Sequence, residues 1–415
     1  MCIGIFKKEK FSIVNNPADA EIIVINTCGF IESAKEEAIN TILEMAEYKD
    51  SGKCKYLIVM GCLVKRYKEE LIKAIPEVDL FLSIEEYDNI WDKISEVIKS
   101  KKSEEVLDYM NRVITTGNKQ AYLKIAEGCD NKCTYCAIPM IRGPFVSRKM
   151  EDVLEEAESL AKKGYEEIIV IAQDTTKYGI DIYGESKLAE LLQRLSEIPE
   201  IKWIRFLYTY PEGITDELIK VVKENDKICN YFDIPIQHYS DSVLKMMNRK
   251  TTGEKIEKLI EKIRENIPDA IIRTSLIVGF PKESEEDFNK LYEFVKRVNF
   301  DKLGVFKYSK EDGTPAAKIP EQINGNTKRS RHNKIMKLQE KISRTKLESK
   351  IGNIYEAIIE SETSDGKYYV GRTYMDVPDM DGVVFIQKTK ENLKDKFVKC
   401  KIINILDYDL IAELI

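Results

Sequence analysis

The chain has 415 residues, of which 43% are hydrophobic and 33% are charged, so it can bury a sizeable apolar core and is not a disordered chain. Its length exceeds what one core usually serves, and we expect two or three domains. A net charge of -6 argues against binding of nucleic acid through overall charge, and no apolar run is long enough for a membrane span, which together predict a cytoplasmic protein with no membrane partner.

Residues 1 to 105 are predicted to form an open α/β domain. The apolar run at residues 22 to 25 is typical of a buried parallel strand, and a helical pattern follows at residues 34 to 48. A second apolar run leads to Cys62, and Cys28 follows the first run in the same way. Because open sheets bind ligands at the carboxyl ends of their strands, these two thiols are candidate ligands.

Residues 115 to 345 alternate six strand-like runs with amphipathic helices. One of the helices is predicted to begin with a capping box made by Ser284 and Asp287. Six β-α units in series imply a parallel sheet that curves like part of a (β/α)8 barrel. The first strand is followed by the loop EGCDNKCTYCAIP, residues 127 to 139, which we therefore expect at the carboxyl-terminal, functional rim of the sheet.

Residues 347 to 415 change character again, because short strand-like runs alternate with turns that contain Gly and Asp. This pattern predicts a small antiparallel β-barrel. The predicted fold class is therefore α/β, with an open α/β domain, a partial (β/α)6 barrel and a terminal antiparallel barrel in chain order.

The loop after the first barrel strand holds Cys129, Cys133 and Cys136 in a C-x3-C-x2-C array. A structural zinc site takes four ligands, and no fourth cysteine or histidine lies nearby in the sequence. Three buried thiols without a role are also disfavoured, since the loop is hydrophilic. Thiolates hold iron-sulfur clusters, and three ligands on a four-iron cluster leave one iron open, so we predict a 4Fe-4S cluster here.

This loop, with Tyr135 before its third cysteine, resembles the radical S-adenosylmethionine (SAM) superfamily. The resemblance implies that the open iron binds SAM and that SAM is cleaved to a 5′-deoxyadenosyl radical. It also implies SAM contacts by Gln173 and Asp174 after the second strand, by Gln237 after the fourth and by Gly279 after the fifth. The alternative is that these four residues only form ordinary turns between strands and helices.

The order of the three predicted domains resembles the methylthiotransferases over essentially the whole chain. That resemblance implies a second 4Fe-4S cluster held by Cys28 in NTCGF and Cys62 in MGCL, and a terminal TRAM domain that recognises the substrate. The family begins with a further strand and an S-L-G-C-type motif that supplies a third ligand, and we expect this chain to lack both, through a start assigned too far downstream or through truncation. Cys2 and Cys54 are poor substitutes, because one lies in a helix-like region and the other opens a strand.

Within that family, the segments AQDTTKYGID and VGRTYMDVPDMDG resemble the RimO branch, whose members methylthiolate an aspartate of the twelfth small-subunit ribosomal protein. The tRNA-modifying MiaB branch carries an Asn-rich segment where Asp174 stands. Residues 348 to 415 contain thirteen acidic and nine basic side chains. This charge would repel an RNA backbone, which disfavours tRNA, and would suit a basic ribosomal protein, although a solvated acidic surface without a partner is the alternative.

The same resemblance implies the chemistry. One SAM supplies a methyl group to sulfur at the second cluster, and another gives the radical that takes hydrogen from the β-carbon of the target aspartate. A flavodoxin or ferredoxin-type reductant supplies electrons. The competing hypotheses are a tRNA adenosine methylthiotransferase and a non-catalytic ribosome-binding relic.

Overall fold

The computed structural model describes residues 2–100, 109–110 and 112–415. The predicted end of the first domain, at residue 105, lies outside them. The chain divides into two compact units. The first unit consists of Met1–Thr115, Gly128–Pro144 and Ser309–Lys318, and the second unit of Thr116–Glu127, Phe145–Tyr308 and Ile319–Ile415. The cysteine loop therefore groups with the N-terminal segment.

The first unit is built on a parallel sheet of three strands in the order β1-β2-β3. The strands are β1 (Ile22–Thr27), β2 (Tyr56–Gly61) and β3 (Leu80–Leu82). The helices are α1 (Cys2–Lys8), α2 (Glu32–Ala46), α3 (Tyr48–Ser51), α4 (Cys62–Ala74), α5 (Ile90–Val97) and α6 (Ile138–Arg142). The two predicted strands and the helix between them are confirmed, whereas β3 is too short to give a pattern of its own.

Helices cover both faces of this sheet, as the alternation of side chains along β2 requires. Leu57 and Val59 pack on one face with Ile42 of α2, and Ile58 packs on the other face with Trp91 of α5. All five side chains are fully buried. Because both faces are apolar, β2 is a continuous hydrophobic run, which is why this strand was predictable from the sequence.

The second unit contains the predicted partial barrel. Its strands β4 (Gln120–Lys124), β7 (Glu167–Ile171) and β8 (Trp203–Phe206) form one parallel sheet, and β9 (Tyr231–Asp233), β10 (Ile271–Val278) and β11 (Lys302–Lys307) form another. A parallel bridge from Ile204 to Ile228, just before β9, continues the strand order between the two sheets. The six predicted strands are therefore present in chain order.

Helices and a short ribbon complete this part. The helices are α7 (Met150–Lys162), α8 (Ile180–Tyr183), α9 (Leu188–Ser196), α10 (Asp216–Glu224), α11 (Asp241–Met246), α12 (Gly253–Asn266), α13 (Glu285–Val298) and α14 (Gly325–Glu348). The ribbon pairs β5 (Ala126–Glu127) with β6 (Val146–Ser147). The predicted capping box begins α13, since Ser284 Oγ accepts from Asp287 N at 3.1 Å and Ser284 N donates to Asp287 Oδ2 at 3.0 Å. Among the helices that the structure describes, none combines the length and apolar character needed to cross a membrane.

The terminal segment forms a closed five-stranded barrel in the order β12-β13-β14-β16-β15. Its strands are β12 (Ile354–Glu362), β13 (Tyr368–Thr373), β14 (Val384–Gln387), β15 (Phe397–Ile405) and β16 (Leu410–Leu414). Four neighbouring pairs are antiparallel, as predicted, but β14 and β16 pair in parallel. The reason is parity, because strands of alternating direction cannot close a ring with an odd number of members.

Within the second unit, this terminal barrel packs against the amino-terminal ends of the parallel strands. Glu167, the first residue of β7, binds Arg372 of β13 at 2.6 Å. Trp203, the first residue of β8, makes an edge-to-face contact with Phe397 at 4.9 Å between ring centroids. Tyr231, the first residue of β9, donates to a carboxylate in the β13–β14 loop. The carboxyl-terminal ends of the strands lie at the opposite edge.

Candidate functional site

The cysteine loop of the first unit is tightly constrained at both ends. Cys129 N donates to Gly143 O at 3.1 Å, and Cys136 N donates to Cys133 O at 3.1 Å in a turn. Gly128 has φ of +77°, and a β-carbon on it would lie 1.9 Å from the backbone oxygen of Pro144. The loop can therefore begin only with glycine.

The three thiols of this loop form no disulfide and are largely shielded from solvent. Cys129 and Cys133 are 7% and 8% exposed, and Cys136 is half-buried. Burial raises the pKa of Cys136 to about 12, and the neighbouring thiols of Cys133 and Cys129 add to the effect. Thiolates in this setting need a cation beside them, and a thiolate-binding metal group supplies one. The donor set therefore fits an iron-sulfur cluster.

Ligation itself remains a prediction. In the described part of the chain, no three His, Cys, Asp or Glu side chains are gathered as a metal ion would hold them.

In the second unit, the predicted SAM contacts lie just after the barrel strands, at their carboxyl ends. Gln173 follows β7 and donates to Glu127 Oε1 at 3.1 Å, while its own Oε1 is buried and accepts no hydrogen bond from the described residues. Asp174 is fully buried, and its Oδ1 accepts from Thr176 N at 3.1 Å and from Thr176 Oγ1 at 2.5 Å. Gln173 thus offers a vacant acceptor, whereas one carboxylate oxygen of Asp174 fixes the following turn.

Gln237 and Gly279 both adopt left-handed backbone conformations after their strands. Gln237 has φ of +70°, and its carbonyl accepts from Ile277 N at 2.8 Å. Gly279 has φ of +71°, and a β-carbon there would lie 2.3 Å from Cγ of Lys328. Non-glycine residues rarely adopt this conformation, and such strain concentrates at functional sites.

Glu283 is a buried acid near Gly279 that the sequence analysis did not select. It is 1% exposed, accepts from Phe280 N at 2.9 Å and pairs with Arg331 Nη1 at 3.1 Å. Burial raises its pKa to about 7. Arg331 lies 48 positions further along the chain, so no local pattern indicated the pair.

His238, next to Gln237, is also completely buried. Its Nδ1 accepts from Ser240 N at 3.0 Å, so the ring hydrogen sits on Nε2, which has no hydrogen-bond partner among the described residues. Burial lowers the pKa of His238 to about 3. The ring is therefore neutral at physiological pH and carries a buried donor.

In the first unit, Cys28 and Cys62 lie at the same edge of the sheet. Thr27 and Gly61, the last residues of β1 and β2, are paired in register, so the two cysteines follow paired residues. Cys28 is exposed and Cys62 is 9% exposed. The prediction that the strands deliver both thiols at their carboxyl ends is confirmed.

The two alternative cysteines are placed as predicted. Cys2 begins helix α1. Cys54 is buried two residues before β2, at the amino-terminal end of the strand, and Cys62 follows its carboxyl-terminal end. A six-residue strand spans roughly 20 Å, so Cys54 cannot reach the edge where Cys62 lies.

Comparison with known families agrees with this division of the chain. Residues 123–295 match the Radical SAM superfamily, residues 351–415 match the TRAM domain, and residues 1–83 match an uncharacterised protein family, UPF0004. The solved structure of the radical S-adenosylmethionine methyltransferase TsrM from Kitasatospora setae is similar in fold, with a TM-score of 0.54 and 13% identity over 72% of this chain and 66% of that one. The fold and the cysteine loop together define a radical SAM enzyme.

Relatives that match over almost the whole chain show which family of radical SAM enzymes it belongs to. Over 99% of this chain and 94% of the relative, it is 68% identical to the ribosomal protein uS12 methylthiotransferase RimO of Alkaliphilus oremlandii. It is 50% identical to the protein of the same name from Acetivibrio thermocellus, over 100% of this chain and 94% of that one. The chain therefore belongs to the RimO family of radical SAM methylthiotransferases.

Proposed function

We propose that this enzyme methylthiolates the β-carbon of an aspartate in ribosomal protein uS12, the twelfth protein of the small subunit. The observation that carries the proposal is the 68% identity, over 99% of the chain, to a relative named for that reaction and substrate. The cysteine loop supports it independently, because an unactivated C–H bond is beyond the reach of acid-base side chains and requires a cofactor.

Cys129, Cys133 and Cys136 would hold one 4Fe-4S cluster, which when bound supplies the electron for reductive cleavage of SAM to a 5′-deoxyadenosyl radical. The chain's own contribution is to present three shielded thiols on a loop clamped between Gly128 and Gly143. The low exposure of Cys129 and Cys133 also limits the contact of water with these two thiols. Tyr135, half-buried between the last two cysteines, is proposed as a further cofactor contact.

Gln173, Gln237 and Gly279 are proposed to bind SAM. The buried Oε1 of Gln173 is an acceptor suited to an ammonium group such as the amino group of SAM. Gln237 would contact the ribose through its side chain, since its backbone N–H and carbonyl both pair with β10. Gly279, directly after β10, would lie beside the adenine. Asp174 would act by fixing the turn that follows Gln173.

Cys28 and Cys62 are proposed to supply two of the thiolates of a second 4Fe-4S cluster, which when bound would carry the sulfur that receives a methyl group from another SAM. Their support is the shared edge of the sheet, with one accessible and one buried thiol. An accessible ligand suits a site that must exchange sulfur with a substrate. Two SAM molecules would then be consumed for each product.

The proposed partners are uS12 and a flavodoxin or ferredoxin-type reductant. The terminal barrel would bind the basic ribosomal protein through its excess of acidic residues. Asp376 and Asp381 do not contribute to that surface, because they bind Lys302 and Tyr231 within the second unit. Without Asp376 and Asp381, residues 348 to 415 still contain more acidic than basic side chains.

The test uses the full chain, reconstituted anaerobically with iron and sulfide and supplied with SAM, a reductant and either uS12 or tRNA. We expect 5′-deoxyadenosine, S-adenosylhomocysteine and a uS12 peptide heavier by one methylthio group, all by mass spectrometry. The Cys133→Ala variant is the control and should release no 5′-deoxyadenosine. If tRNA alone were methylthiolated, the substrate would be tRNA and not uS12. If no 5′-deoxyadenosine were formed, the chain would be a non-catalytic ribosome-binding relic.

A further inference from the structure

Helix α14 of the second unit carries a concentration of positive charge that the proposed function does not use. Residues 325 to 348 contain eight Lys or Arg residues and two Glu residues, whereas the whole chain has a net charge of -6. Part of this charge is structural, because Arg331 is buried beside Glu283 and Lys346 binds Asp301 at 3.1 Å. The exposed basic side chains of the helix need another explanation.

Four exposed basic side chains form a stripe along α14, here called the α14 stripe: Lys334, Lys337, Lys341 and Arg344. They follow one another at intervals of three or four residues, so they lie on one face of the helix. With a rise of 1.5 Å per residue, the stripe is about 15 Å long. Like charges at these spacings repel one another and destabilise a helix, so the stability of α14 does not explain the stripe.

The middle of the α14 stripe has no acidic partner. At one end Lys334 lies 4.0 Å from Glu285, and at the other end Arg344 pairs with Glu348 at 3.2 Å. The two lysines between them make no ion pair with any residue that the structure describes, and this includes the exposed Glu340, which lies between them in the sequence. The stripe therefore presents uncompensated positive charge to solvent.

The α14 stripe leads to the terminal barrel. Helix α14 ends at Glu348, β12 begins at Ile354, and Leu347 packs against the core of the barrel. The segment from 348 to 415 is acidic and is proposed above to bind uS12. The stripe would repel a basic protein alone, and the acidic barrel would repel RNA alone. A basic protein that lies on RNA complements both surfaces.

We propose that the α14 stripe binds the phosphate backbone of ribosomal RNA beside uS12, so that the enzyme recognises uS12 assembled in the small subunit in preference to the free protein. The inference rests on the proposed function for its protein substrate. Lysine and arginine neutralise phosphates and release condensed counterions, which makes such binding dependent on salt. Contacts of this kind position a protein on RNA without reading its bases.

The experiment measures dissociation constants of the iron-loaded full chain for small ribosomal subunits with unmodified uS12, for free uS12 and for tRNA, over a series of KCl concentrations. We expect the parent to bind the subunit more tightly than it binds free uS12 or tRNA. The double variant Lys337→Gln/Lys341→Gln should bind the subunit more weakly. Its plot of log affinity against log salt should be shallower by about 1.4 to 1.8, because each phosphate contact contributes about 0.7 to 0.9. Its affinity for free uS12 should not fall.

Lys258→Gln/Lys262→Gln is the matched control, because it removes two exposed lysines at the same spacing from α12. This control should keep the affinity and the salt dependence of the parent. Lys337→Arg/Lys341→Arg keeps the charge of the stripe and should also bind the subunit as the parent does. Circular dichroism melting checks that all variants are folded.

An unchanged salt dependence in Lys337→Gln/Lys341→Gln, or an equal loss of affinity in the α12 control, would overturn the role of the α14 stripe. Equal losses of affinity for tRNA and for the subunit would overturn the assignment to ribosomal RNA. Modification of uS12 without tighter binding to the subunit would overturn this inference alone. Stripe-dependent binding to the subunit without modification of uS12 would support the stripe and overturn the proposed function.

Discussion

Cysteine residues of this chain differ in environment far more than their spacing in the sequence suggests. Cys129 and Cys133 are shielded from solvent in a constrained loop, and Cys28 is exposed at the carboxyl end of a strand. Cys54 is buried near the amino-terminal end of a strand, away from the candidate ligands. The C-x3-C-x2-C spacing was enough to select the loop. Cys28 and Cys62 needed, in addition, the rule that open sheets bind ligands at the carboxyl ends of their strands.

Replacement of Cys133 by Ala should remove the iron of the loop cluster. The physical reason is that three thiolates are the minimum set for a four-iron cluster with one open position. Iron and sulfide analysis of the reconstituted protein measures this loss. Cys54→Ala is the control and should keep all the iron, so an equal loss in that variant would contradict the assignment.

Glu283 should make the stability of the fold depend on pH. Burial raises the pKa of Glu283 to about 7, above its value of 4.5 in an unfolded chain, so its contribution to stability is present below pH 4.5 and is lost as the pH rises through 7. The free energy of unfolding of the parent, relative to Glu283→Gln, should fall by about 3 kcal/mol between pH 5 and pH 8. Urea unfolding of both proteins at both pH values measures this change. If the parent and Glu283→Gln differed by the same free energy of unfolding at pH 5 and pH 8, the prediction would be contradicted.

At the scale of elements, long periodic segments were predictable and short ones were not. The run in β2 and the capping box of α13 depend on neighbours within a few residues, which a single sequence displays. The three-residue strand β3 carries no period, and the parallel pairing of β14 with β16 depends on how many strands close the ring. Contacts such as Glu283 with Arg331, or Arg142 with Cys62, join distant segments and leave no local pattern.

Gly128 should be essential for the cysteine loop as an element. In Gly128→Ala the new β-carbon would meet the backbone oxygen of Pro144, which cannot move without displacing the segment that receives the hydrogen bond of Cys129. We expect this variant to lose the iron of the loop cluster. Iron analysis measures the loss.

Gly143→Ala isolates the steric part of this effect. Gly143 has a similar φ of +75°, but a β-carbon on it would contact nothing within 4 Å. This variant should lose only about 1 to 2 kcal/mol of stability, the usual cost of left-handed backbone for a residue with a β-carbon, and should retain its iron. Loss of iron in both variants to the same extent would show that backbone conformation, not the clash, is limiting.

At the scale of the second unit as a whole, the terminal barrel is joined to the parallel strands by a buried ion network. Glu167 is paired with Arg205 at 2.5 Å and with Arg372 at 2.6 Å, and all three side chains are at most 1% exposed. Arg205 also donates to the carbonyl of Thr373 in the terminal barrel at 2.9 Å. The terminal barrel is therefore held to the parallel strands by buried charged side chains, and water can reach these side chains only if the barrel separates from the strands.

Arg372→Met should separate the unfolding of these two parts. Removal of one partner leaves buried charge uncompensated, and we expect a loss of about 3 to 5 kcal/mol. Differential scanning calorimetry should show an earlier, separate transition for the terminal barrel. Lys388→Met removes a surface pair with Glu362 and should cost less than about 1 kcal/mol. Equal effects of the two substitutions would contradict the structural role of the network.

The most direct test of the central claim is the mass of uS12 isolated from cells that carry this chain as their sole methylthiotransferase of this kind, compared with cells that lack it. The account predicts a uS12 peptide heavier by one methylthio group, with the added mass located on an aspartate side chain by fragmentation, and predicts its absence when Cys133→Ala replaces the parent chain. An unmodified uS12 in cells that contain the folded, iron-loaded parent protein would contradict it.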